Sequence, residues 1–126
     1  MTLTTIMAAM SGIPFDLQPA LAAGAADGNV LAIPNSFRHH NFLIRTTNAT
    51  VSAGAVSIET SNDPNDANTW ALIDPVESVA NPVTPVAGTD ILINYIGVLN
   101  FVRARISTAI TGGATVQVQY LGGKSY

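Results

Sequence analysis

The sequence predicts an all-β protein: an antiparallel β-sandwich, jelly-roll or Ig-like, of about seven or eight strands with an extended N-terminal arm. Two observations predict it. Apolar and polar residues alternate with a period of two in several segments, the spacing of strands with one buried and one open face. Clusters of Gly, Pro, Asn and Asp separate those segments at short intervals, as turns do.

The elements follow in order. Residues 1–28 have no clean period, and Pro14 and Pro19 break any helix there. Yet the stretch carries Leu3, Ile6, Met7, Met10, Ile13, Phe15, Leu17 and Leu21, more apolar residues than a solvated tail keeps. An arm docked on a neighbouring subunit reconciles these facts, with residues 29–126 as the sandwich domain. The other reading is a first strand and loop of the same domain. Beyond Asn29, Phe42, Ile44 and Thr46 share one face, and Val56 and Ile58 alternate with Ala55, Ser57 and Glu59. The run from Ile91 to Ile96 is apolar on both faces, which suits a strand with one face in the core and the other at an interface. Phe101–Ile110 and Ala114–Leu121 also alternate, and Gly112-Gly113 between them predicts a tight β-hairpin.

Composition bounds the function. The chain has 126 residues, one domain's worth, and 48% of them are hydrophobic, enough to fill a core. Only 10% are charged, against about 25% in an ordinary soluble domain. Neutral polar groups cost less to desolvate than ions, and loss of charge marks the centre of interfaces. This pattern points to a chain covered by neighbours in its working state. Net charge is −3 and the five basic residues form no patch, which argues against nucleic acid as a partner. No cysteine is present, so disulfide and thiolate chemistry are excluded. No stretch has the length of an apolar membrane span and no basic residue precedes the first apolar run, so no membrane partner and no secretory signal are expected.

Candidates for chemistry are few. His39-His40 would point to opposite faces of a strand, so a shared metal ion is not expected and surface or interface roles are. Asn62-Asp-Pro-Asn-Asp-Ala-Asn68 offers oxygens for calcium but lacks the EF-hand spacing, and Asx-capped turns explain it as well. Asn48-Ala-Thr50 matches a glycosylation sequon that carries little weight without a secretory signal. Gly24–Gly28 lacks the ending of a phosphate loop, and no nucleophile elbow or placed carboxylate pair occurs. No enzyme activity, cofactor or metal is therefore expected. Arg103 and Arg105 share one face of a strand and should face solvent or meet acids such as Glu59 or Asp90. Trp70, the sole tryptophan, opens a strand as a core or interface anchor, or as a platform for a sugar.

Four segments carry a family resemblance: Gly54-Ala-Val-Ser-Ile-Glu-Thr-Ser61, Thr69-Trp-Ala-Leu72, Phe101-Val-Arg-Ala-Arg-Ile-Ser107 and Thr111-Gly-Gly-Ala-Thr-Val-Gln-Val118. From Ala53 onward the chain resembles β-sandwich proteins of tailed-bacteriophage virions. The resemblance implies a non-enzymatic structural protein located in the virion. Small size and low charge suit a capsid decoration or cement protein, one that braces neighbouring capsid subunits, often as a trimer. Homo-oligomer contacts and contacts with the major capsid or other virion proteins would then run through Leu3, Ile6, Met7, Met10, Ile13, Phe15, Leu17, Leu21, Trp70, Arg103 and Arg105. The alternative is a tail, baseplate or fibre module that binds carbohydrate.

Overall fold

The described residues form ten strands. They are β1 (Ile6–Ala8), β2 (Phe15–Ala22), β3 (Ala26–Asp27), β4 (Val30–Ala32), β5 (His39–Thr46), β6 (Ala53–Ser61), β7 (Ala71–Leu72), β8 (Asp90–Ile96), β9 (Phe101–Thr111) and β10 (Val116–Lys124). This computed structural model describes residues 6–8, 14–76 and 80–124. The described residues contain no α-helix, only a single 3-10 turn at Ala67–Thr69.

Two sheets face each other. The first runs β1-β4-β9-β6-β7, with β3 lying beside β4 along the same edge of β9. The second runs β2-β10-β5-β8. Pairing is antiparallel throughout except between β1 and β4. The fold is thus the predicted all-β sandwich. Its core interleaves Leu31, Val56, Ile58, Val102 and Ile106 from the first sheet with Leu17, Phe42, Ile44, Ile93, Val118 and Tyr120 from the second. Full burial of one such side chain stabilises the fold by about 1.5–3 kcal/mol.

Two expectations are corrected. The described residues of the expected arm, 6–8 and 14–28, contribute strands to the sheets: β1 pairs with β4, β2 with β10 and β3 with β9, and Leu17 is fully buried. Pro19 survives in a strand because β2 is the edge of its sheet, and the β2–β10 register slips between Gln18 and Ala22. A missing N–H is tolerated at such an edge bulge. Leu3, Met10 and Ile13 lie outside the described residues.

The second correction concerns Gly112-Gly113. β9 and β10 form no hairpin, because β9 is in the first sheet and β10 in the second. Both glycines adopt positive φ, 105° and 111°, and carry the chain across the sandwich. That crossing is paired with another, the 47–52 connection from β5 to β6. Ala114 N–H donates to Thr50 O, Thr47 N–H to Thr115 O, and Ser52 N–H to Thr111 O. The side chain of Thr47 also accepts from Thr115 N–H at 2.9 Å. Two chains leaving one sheet for the other thereby satisfy each other's backbone groups.

A third junction lies at Gly28. Its N–H donates to Ala104 O in the first sheet, and the next N–H, of Asn29, donates to Leu17 O in the second. A β-carbon at Gly28 would sit 2.1 Å from Leu17 O, so only glycine fits between the sheets.

Candidate functional site

The outer faces of the two sheets differ in chemistry, and each holds residues singled out above. On the first sheet, β6 and β9 place Glu59 opposite Arg103 and Ser57 opposite Arg105, while β3 places Asp27 opposite Arg105. Arg103 Nε donates to Glu59 Oε1 at 2.9 Å, and Arg103 Nη1 lies 3.4 Å from Asp27 Oδ2. Arg105 Nε sits 3.4 Å from Asp27 Oδ1. The Arg103 and Glu59 side chains are 13% and 10% exposed, so this pair is largely desolvated, whereas Arg105 is open to water. The Arg103 guanidinium also lies 4.2 Å from the centroid of the Trp70 ring, in cation–π contact.

Trp70 reaches that position because a turn precedes it. Asp66 Oδ1 accepts from Asn68 N–H and caps the 3-10 turn, while Asp63 Oδ1 accepts from Asn65 N–H. Thr69 Oγ1 donates to the carbonyls of Asp63 and Asp66, both at 2.7 Å, so Ser61 donates to Thr69 Oγ1. The loop that offered oxygens to calcium uses them as Asx caps. Among the described residues, no group of three or more His, Cys, Asp or Glu is placed to hold a metal.

On the second sheet, cross-strand register aligns the outward residues in rows. Gln117, Arg45 and Asp90 form one row; Gln119, Leu43 and Leu92 the next; then Asn41 with Asn94, and His39 with Ile96. Leu92 and Ile96 are 47% and 55% exposed. Asp16 Oδ1 accepts from the Gln117 and Gln119 amides at 3.2 and 3.0 Å. Arg45 Nε stands 3.6 Å from Asp90 Oδ2. The centre of this face is neutral and apolar; Asp90 faces Arg45 near one end, and the Asp16 carboxylate is held by neutral amides at the β2 edge. At one end, Arg45, Thr47, Asp90, Thr115 and Gln117 line a shallow cleft of about 310 Å3.

Behind this face lies His40. It was expected at a surface or interface, but it is 1% exposed and points into the sandwich, while His39 points outward. Its Nε2 lies 2.8 Å from Gly97 O, which can only accept, so Nε2 carries the proton. Its Nδ1 then accepts from the Tyr120 hydroxyl at 2.9 Å. Burial holds the His40 pKa below the usual histidine value and pushes the Tyr120 hydroxyl well above its own. The sequence carried no signal for this pair, since the two residues lie on neighbouring strands far apart in the chain.

The structure therefore brings together Trp70, Arg103 and Arg105 of the expected interface set, and with them Glu59. Asp90, the other acid proposed for Arg103 and Arg105, pairs with Arg45 instead. Phe15 is partly buried against the core and Leu17 lies within it; Ile6, Met7 and Leu21 fall in β1 and β2.

No protein-family model matches the chain, and no curated protein sequence matches it. Among solved structures it is similar to the crystal structure of the SPBc2 prophage-derived protein YomS. The two share 12% identity at a TM-score of 0.54, over 86% of this chain and 90% of that one. The fold is shared with a prophage-derived protein. The likeness spans nearly the whole of both chains, so it covers both sheets rather than a single motif.

Proposed function

We propose that this chain is a non-enzymatic structural protein of a tailed phage, and within that class a capsid decoration or cement protein that packs between subunits of the head. One observation carries the reading: the outer face of β2-β10-β5-β8 has a neutral centre at which Leu92 and Ile96 are exposed beside the half-buried Leu43. Exposed apolar residues aligned on one face, with the charged groups toward its margin, suit a surface that is covered in use. The fold shared with a prophage-derived protein and the low charge of the chain support the same reading.

Binding of carbohydrate on a tail, baseplate or fibre is the second reading. The cleft beside Arg45 favours it, since hydroxyls, an amide and an ion pair suit sugar hydroxyls. No aromatic side chain lines that cleft, however, and the Trp70 ring is occupied by Arg103.

The test is quantitative mass spectrometry of purified particles from the phage that encodes this chain, with immunogold labelling. Many copies per particle, with label on the head, are expected. Absence from particles contradicts the structural reading, and label confined to the tail moves the chain to the second.

A further inference from the structure

Resting on that assembly reading, we propose that the outer face of β2-β10-β5-β8 binds the same face of a second copy of this chain, sheet on sheet about a two-fold axis. Three features select this occupant.

The first is charge. Asp16 is held by the Gln117 and Gln119 amides, and Arg45 faces Asp90. Arg45 and Asp90 offset each other's charge, and the Asp16 carboxylate, held by neutral amides, keeps its charge on the edge strand β2, away from the apolar centre. A partner that placed an unpaired charge on this face would lose its hydration and gain no counter-charge in return. Over this centre the cover must itself be neutral and apolar. This face meets that description, and the outer face of the other sheet, with Arg103, Arg105, Asp27 and Glu59, does not.

The second is area. Four strands about 4.8 Å apart, each seven to nine residues long at about 3.3 Å per residue, present roughly 500 Å2. Two copies together bury about 1,000 Å2, the size at which specific interfaces begin. The pair is therefore expected to be weak, with half-dissociation in the micromolar range.

The third is shape. The outward rows alternate Leu43 and Leu92 with the smaller amides of Asn41 and Asn94, then Ile96. Aligned sheets about 10 Å apart interdigitate such rows, and a two-fold axis lets one patch serve both partners. Contact at this face makes a dimer, which departs from the trimer implied by the family resemblance.

The experiment is sedimentation equilibrium of the full chain from low micromolar to near-millimolar concentration. Leu92→Glu and Ile96→Lys alter the face at exposed positions, and Ser107→Glu alters the outer surface of β9 as a control. The unaltered chain and Ser107→Glu should rise together from 13.1 kDa toward twice that mass. Leu92→Glu and Ile96→Lys should weaken the dimer at least tenfold while their far-ultraviolet dichroism and melting stay unchanged. Hydroxyl-radical footprinting of the unaltered chain, with labelling of Leu92 and Ile96 falling as concentration rises, reads the same contact without a variant. A monomer throughout, a trimer, or a dimer indifferent to both substitutions overturns the proposal. None of these touches the structural reading, which stands or falls on whether particles contain the chain.

Discussion

The two outer faces of this sandwich share a backbone geometry and differ in how their charges are used. On the β9 and β6 side, Arg103 is clamped between Glu59 and Asp27 beneath the Trp70 ring, and a capped loop holds the ring there. On the β5 and β8 side, the ion pair and the Gln–Asp contacts sit at the margin and leave Leu43, Leu92 and Ile96 in the middle. The first face holds Arg103 within its own chain and leaves Arg105 and Asp27 about half exposed. The second leaves Leu92 and Ile96 exposed to solvent. A charged network that is largely desolvated locks its strands together, whereas a neutral face costs little to desolvate and is free to serve assembly.

The largest test of this contrast is Glu59→Gln. It leaves the Arg103 charge beside Asp27 alone and removes its nearest partner, so unfolding free energy should drop by about 3 kcal/mol. Chemical denaturation measures it; a loss below about 1 kcal/mol would place the pair with ordinary surface ion pairs.

Acid should act on the second sheet from behind, with a smaller effect because a single group titrates. The folded pKa of His40 is depressed, so its neutral form stabilises the fold fully above the unfolded value of 6.5. That contribution is lost as pH falls from there through the folded pKa. Thermal melting between neutral and mildly acidic pH should show the slope, and His40→Leu should flatten it. The charged and titratable neighbours are Tyr120, Tyr95 and His39.

Arg45→Ala is expected to cost under about 1 kcal/mol, since both partners of its pair are more than half exposed. Smallest of all is Leu92→Ser, which should change monomer stability by no more than about 0.5 kcal/mol, because the side chain touches water rather than core. A large loss of stability in Leu92→Ser would show that the bare face is part of the fold.

Much of this architecture was legible in the sequence. β5, β6, β9 and β10 follow from alternation, because each has one face in the core. The double-sided apolar run Ile91–Ile96 pointed to the bare face: Ile91, Ile93 and Tyr95 pack inward while Leu92 and Ile96 do not. Meeting of Arg103 with Glu59 was legible as a requirement of pairing, though not the part of Asp27, which depends on the short strand β3. β2 was hidden by Pro19, whose place at a bulged edge has no local signature. The path after β9 was hidden too, since Gly-Gly between alternating segments allows a hairpin or a crossing, and only the partner loop 47–52 decides. His40 was misread because burial of a histidine depends on acceptors and donors supplied by distant strands.

The most direct measurement of the central claim is hydroxyl-radical footprinting of this chain inside purified particles, compared with the dilute free chain. Labelling of Leu43, Leu92 and Ile96 should fall sharply in the particle, with Trp70 and its surroundings unchanged. Equal labelling of those three residues in both states, or protection confined to the Trp70 side, would contradict the account.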